Sequence, residues 1–346
     1  MNRRALTTVN ADITLAYLIL FTLEDYVNIK DLGFYCPAFH FSFLHALLGI
    51  LSYQLASLLA ATSWALSSLI AAEPSRRLGG ARFCRIRMIY VSVMLIVAAT
   101  INGGWNTVDF NDTALIAISG IIGIFVGDVA LFTAMSRIGP RRTGMLFTLN
   151  APMAAAGGAV FFNERLSLSS FAGSALIIFG IILAVVYGNP SDGTGVFERI
   201  EGSLFVGVFW AAIGALGQAG GALAAKPVLD EGGDTLTVAA LRALIATLVM
   251  WSLPTKTDKW TRSLVKSPLV KNDQLKLASS AFIAMVCGMT LLLYALANGD
   301  TGIAVVLSAT TPVLLLPLQA VATKKMPAPF AWLGAVLTVI GTSLLI

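Results

Sequence analysis

Charge is scarce in this sequence. Asp, Glu, Lys and Arg together make up 12% of its 346 residues, about half the ~25% of an ordinary globular domain. Histidine occurs twice, as His40 and His45, which excludes a haem or metal centre built mainly from imidazole. The three cysteines, Cys36, Cys84 and Cys287, are far apart and form no CxxC pair, so neither a disulfide framework nor a zinc site is indicated. There is no P-loop, no HExxH, no nucleophile elbow and no DDxxD-type acid pair. ATP hydrolysis within the chain is thereby disfavoured, and the chain reads as a non-enzyme that carries no cofactor.

What is there is apolar. Hydrophobic residues reach 57%, more than a water-soluble chain of this length can bury, and the simplest solvent for them is a bilayer. The net charge of +5 then speaks of loop placement relative to the membrane rather than of nucleic acid. Ten runs have the roughly 20 apolar residues a spanning helix needs: 51–72, 88–105, 113–136, 142–162, 169–188, 202–225, 235–253, 277–297, 302–322 and 329–346. Residues 1–50 fit less well. The run 13–23 is short, and 32–50 holds Pro37 and both histidines. This stretch reads as an interfacial or loosely ordered extension without a signal-peptide cleavage site, leaving room for an eleventh helix.

The chain repeats itself. "GDVALFTAMSRIGPRRTGMLFTLNAP" aligns with "GMTLLLYALANGDTGIAVVLSATTP", setting Gly127 on Gly288 and, after a one-residue slip, Pro152 on Pro312. "FAGSALIIFG" aligns with "AWLGAVLTVIG", setting Gly173 on Gly334 and Gly180 on Gly341. Spans one to five (51–188) and six to ten (202–346), joined by a linker at 189–201, are therefore two copies. Five is odd, so the copies enter the membrane in opposite directions, an arrangement common in secondary transporters. The expected fold is all-α: a polytopic membrane protein of ten transmembrane helices in two inverted five-helix repeats.

Arg3, Arg4, Lys30, Arg165 and Lys226 fall on one face of these spans, Arg242 lies within a span, and the other seventeen of the 23 Lys and Arg residues fall on the opposite face. The positive-inside rule places that opposite face, with its odd-to-even loops, in the cytoplasm. The expected location is the plasma (inner) membrane of a prokaryote.

The stretch 127–183, with its short basic turn, mid-span proline and "NERLS" turn at 163–167, resembles the EamA repeat of the drug/metabolite transporter superfamily. The resemblance covers about 51–346 in two copies. In the second, "TKKMPAP" (323–329) replaces the Glu-Arg-Leu turn. It implies ten helices around a central cavity that carries small metabolites or drugs.

Asp128 is the only acid well inside a span. A charge at mid-bilayer costs about 2.5–3.5 kcal/mol on insertion scales, so such a group faces water or a partner. It reads as a proton- or ion-coupling or amine-binding carboxylate, or as a structural lock between helices. Counting helical rise, Asp128 and Asn150 each lie about 12 Å from the basic face, and Thr311 about 14 Å from the other. Asp128 with Asn150, and Thr310 with Thr311, form two candidate polar shelves. The alternative for both threonines is a bond to their own helix carbonyls. Arg242, about 10 Å from the outer face, is placed to reach Asp128 or an anion, or to snorkel. Gln218 and Trp64 lie at corresponding spans of the two halves and are weaker candidates for substrate contact. Pro152 and Pro312 read as paired kinks or hinges. The expected partners are a small-molecule substrate and the lipid bilayer, with the chain a monomer or homodimer. The other readings are an enzyme or flippase acting on a lipid carrier, and a non-transporting membrane partner.

Overall fold

The computed structural model describes residues 52–161, 167–187, 200–252, 271–289, 291–292, 294–295, 307–308 and 310–345. The extension 1–50, most of the 189–201 linker, residues 163–166 of the NERLS turn and the loop 253–270 lie outside them. The described residues from Tyr53 onward belong to one unit and are helical, without strands.

Helix α1 (Tyr53–Leu78) buries a stripe of alanines and serines, Ala56, Ser57, Ala60, Ala61 and Ala65 among them. Helix α2 (Gly80–Asn102) ends on Gly103, whose left-handed φ of 76° lets its N–H return to the Ala99 carbonyl. A side chain at that position would be strained, which is why glycine serves as the stop. Two 3₁₀ turns follow, and the second is held by reciprocal bonds between Asp109 and Asp112. Helix α3 (Thr113–Ser119) runs through a π-helical stretch, Gly120–Val126, into α4 (Gly127–Phe147). Gly139 breaks α4 with φ 83° and ψ 166°, and Pro140 follows it, so the apolar run 110–147 contains a turn and is not one straight rod.

The next span is also interrupted. Residues 148 and 149 form a turn, and α5 (Asn150–Phe161) starts afresh. Helix α6 (Leu168–Ile182) continues as a π-helical stretch to Tyr187. Then come α7 (Leu204–Asp230), α8 (Thr235–Ser252), α9 (Lys271–Ala281) with a third π-helical stretch, Phe282–Met289, α10 (Thr311–Thr323) and α11 (Pro329–Ser343). Pro312 lies in the first turn of α10 and Pro152 is the third residue of α5. Early N–H groups of a helix have no intrahelical partner, so proline costs little there. Both prolines therefore stand at helix starts and not inside continuous kinked helices.

Six segments are long and apolar enough to cross a bilayer, namely Tyr53–Leu78, Gly80–Asn102, Phe110–Phe147, Leu168–Tyr187, Leu204–Asp230 and Thr235–Ser252, and α10 and α11 are shorter apolar helices. Their packing follows a rule of exchange. Helix α2 packs on α8 and α6 on α11, while the α3–α4 span packs on α7 as α9 and its π stretch pack on α1. Helix α5 packs on α7 as α10 packs on α1. The close crossings rest on glycine. A methyl on Gly173 would stand 2.5 Å from the Gly341 carbonyl oxygen, and one on Gly180 would stand 2.6 Å from that of Gly334. Without a hydrophobic drive between helices in lipid, such backbone contact is what holds spans together.

One buried apolar cluster joins α2, α4, α8 and α9 through Phe83, Met88, Phe132, Met135, Ala243 and Leu277. A second joins α4, α6, α7 and α11 through Ile138, Met145, Ile177, Ala211 and Ala335. At one end, Asp234 ties two elements together. Its Oδ1 accepts from the Thr237 N–H and hydroxyl at 2.8 Å each, and its Oδ2 accepts from Asn102 Nδ2 at 2.8 Å. Its own N–H donates to Thr107 Oγ1 at 2.7 Å. The first bonds satisfy free N–H capacity at the start of α8, and the others pin the turn after α2.

Candidate functional site

Asp128 is the second residue of α4, directly after the π-helical stretch. Stretches of π-helix inside α-helices occur often at functional sites. Asp128 is half-buried and stands in electrostatic reach of two guanidinium groups, Arg87 and Arg242. No described residue hydrogen-bonds its carboxylate.

The two arginines are held differently. Arg87, on α2, is 4% exposed. Its Nε donates to Ser280 Oγ and its Nη2 to the Ser280 carbonyl, each at 3.4 Å, and its guanidinium lies 5.2 Å from the centre of the Phe132 ring. The Ser280 carbonyl also accepts from Ser67 Oγ at 2.8 Å, so α1, α2 and α9 meet at one peptide. Arg242, on α8, is half-buried. Its backbone runs against Gly120, and its Nη2 lies over Gly123, 3.0 Å from where a methyl would be. Its Nε is buried and has no hydrogen-bond partner. Asp128 is the charged group that faces it.

Asp128 and Arg242 thus stand in electrostatic reach of each other, one of the placements that depth left open. The view of Arg242 as the one base within the spans needs correction. Arg87 belongs to the buried part of α2, because that helix begins at Gly80 and not near residue 88. Arg141 and Arg142, expected in a basic loop, are 1% and 3% exposed. Arg141 Nη1 donates to the Ala184 carbonyl at 2.8 Å, and Arg142 Nη1 to that of Ile138 at 3.1 Å.

The other candidates are dispersed. Gln218 on α7 has its backbone N–H beside Gly127, one residue from Asp128, with no hydrogen bond between the two side chains. Asn150 opens α5 and is half-buried, and no bond joins it to Asp128. Thr310 and Thr311 donate to the carbonyls of Leu307 at 2.6 Å and Ser308 at 2.9 Å, so both hydroxyls are used by their own chain. Trp64 Nε1 donates to the Ala284 carbonyl at 3.0 Å, inside the Phe282–Met289 π stretch. A π turn shifts carbonyls out of the usual ladder, and the indole meets one of them.

What the cluster offers chemically is one carboxylate and two positive charges partly shielded from solvent, where each is felt more strongly than in bulk. The profile of the EamA-like transporter family matches residues 51–186 and again 205–346. The chain belongs to the EamA-like transporter family. In an EamA-like chain the two matched segments are the two repeats read in the sequence, and Asp128 lies in the first while Arg242 lies in the second. No curated protein matches the sequence. A solved structure described only as "Crystal structure of protein" superposes with a TM-score of 0.57 at 19% identity, covering 84% of this chain and 95% of its own. At that identity the likeness concerns the fold alone. Apolar helices and family together make this EamA-like protein an integral multi-pass membrane protein of the drug/metabolite transporter superfamily.

Proposed function

We propose that this protein is a secondary transporter that moves a small metabolite or drug by alternating access, on ten spans built as two inverted five-helix halves. The matched segments 51–186 and 205–346 support two halves. The exchange of packing partners, with α2 against α8, α6 against α11, and the α3–α4 span against α7 as the α9 span against α1, is what a two-fold relation between halves produces. The loops rich in Arg and Lys then face the cytoplasm of a prokaryotic plasma membrane.

The observation that carries this reading is the Asp128 carboxylate of the first half in electrostatic reach of Arg242 of the second, with no hydrogen bond to that carboxylate among the described residues. Ionisable groups inside apolar spans mark functional sites by default. Asp128 is assigned coupling or amine recognition, Arg242 charge compensation, and Asn150 and Gln218 orientation of the solute. Proteoliposome uptake of labelled amino acids, nucleosides, sugars and a cationic dye, compared between wild type and Asp128→Asn, tests the assignment. A shared rate and pH dependence would remove Asp128 from the mechanism. Cysteine labelling within 254–276 tests the orientation, and an external location overturns it.

A further inference from the structure

The transport reading leaves the chemical class of the solute open, and the charge arrangement narrows it. We propose that the site takes a monocarboxylate, its carboxylate held by Arg242; this rests on the transport reading for its setting, not for its chemistry.

Among the described residues Asp128 stands in electrostatic reach of both Arg87 and Arg242, and with its carboxylate ionised the three sum to one positive charge. An uncompensated cation in a water-poor interior is costly. A monoanion cancels it. A phosphate monoester, carrying about −1.5 to −2 near pH 7, overshoots, and a cation adds to the excess, so of its two assigned roles Asp128 is left with coupling and not amine recognition.

The two guanidiniums differ in what they have left to give. Arg87 spends its Nε and Nη2 on Ser280 and lies against Phe132. It shares the compensation of Asp128 with Arg242 and has little left to offer a solute. Arg242 is half-buried, and no acceptor answers its buried Nε. A buried donor without a partner is destabilising, more so when charged, so among the described residues this guanidinium keeps hydrogen-bonding capacity that Arg87 has spent. The planar edge formed by the two Nη groups, which unlike Nε are not sealed from contact, matches the two oxygens of a carboxylate. Gly120 and Gly123 present bare backbone to Arg242, so no side chain from that face competes for the fork. Asp128 stands across from it and disfavours a second anionic group on the same solute.

The experiment is a set of binding isotherms on the full-length protein in nanodiscs at fixed ionic strength. The probes are lactate, benzoate, their uncharged amides, inorganic phosphate and tetraphenylphosphonium. The expected result is saturable binding of at least one carboxylate, with its amide at least tenfold weaker. Arg242→Gln weakens that carboxylate at least tenfold, and Arg242→Lys, which keeps the charge and loses the fork, falls between. Equal binding of acid and amide overturns the proposal, as do tighter binding of phosphate or tetraphenylphosphonium, no binding of either acid, or a folded Arg242→Gln that binds like wild type. Folding is read by gel filtration and thermal midpoint. If Arg242→Gln does not fold, Arg242→Lys decides the matter on the same criterion. Counterflow of the bound acid in proteoliposomes separates the two readings. Binding without flux keeps the carboxylate site and removes transport, whereas cation flux without acid binding removes the site and keeps transport.

Discussion

Replacing Gly217 by alanine tests whether glycine contact sets the position of Asp128. Gly217 lies on α7 with its Cα facing the start of α4. A methyl there would sit 2.8 Å from the Gly127 Cα, 2.9 Å from the Ile122 carbonyl oxygen and 3.0 Å from the Gly127 nitrogen. All three neighbours are backbone, so no side chain can swing aside. Ordinary carbon–carbon separation is about 3.5–4.0 Å, so the helices must part by about 1 Å. Overpacking of this kind costs about 1–3 kcal/mol, and the rigid neighbours put this site near the upper end. Alanine returns about 0.5–1 kcal/mol through its better helix propensity, leaving a net loss of about 2 kcal/mol. The control is Gly144→Ala in α4, where the nearest atom to a new methyl is Leu315 Cδ2 at 3.8 Å. That variant should gain about 0.5 kcal/mol. Steric-trap or thermal unfolding in one detergent measures both, and transport is measured alongside, because Gly127 precedes Asp128. Gly217→Ala matching wild type in stability would refute the argument, and so would Gly144→Ala falling as far.

Arg87→Gln removes both bonds to Ser280 and the contact with Phe132, and should cost about 1.5–3 kcal/mol in unfolding experiments, with part of the lost stability restored by adding Asp128→Asn, whose charge Arg87 faces. Trp64→Phe leaves the Ala284 carbonyl without its indole donor and should cost about 1 kcal/mol, read by the same unfolding assay. Pro152→Ala and Pro312→Ala should each change stability by less than about 1 kcal/mol, because both prolines occupy helix starts; a larger loss by thermal unfolding would show that they brace a continuous helix. Lys276→Ala breaks a partly exposed pair with Glu73 and should shift stability by less than about 1 kcal/mol in a salt titration.

Asp128 and Arg242 were legible because each is an ionisable residue inside an apolar run, and burial is then nearly forced. Arg87 was not. Hydropathy marks where the lipid-like residues start, near Met88, but the helix starts eight residues earlier, so a cation that looks like loop is drawn into the packed interior. Arg141 and Arg142 escaped notice for the same reason. Pro152 stands just after the break at residues 148 and 149, and Pro312 in the first turn of α10. Their geometry was hidden because a proline that kinks a helix and one that opens a helix look alike in sequence. The π-helical stretches left no pattern in runs such as "GIIGIFV", where every position is apolar or glycine and no periodicity can be seen. The fates of Thr310 and Thr311 depend on side-chain rotamers, which spacing does not reveal.

The four bonds of Asp234 have a mechanical consequence. Two cap α8 and two rivet Asn102 and Thr107 to its head, and Arg242 rides on that same helix eight residues down, about 12 Å along its axis. Any tilt of α8 that carries the arginine is thereby transmitted to the Asn102–Thr107 turn. That end of the bundle and the charged interior are levered together, so a shift of the arginine is felt about 12 Å away.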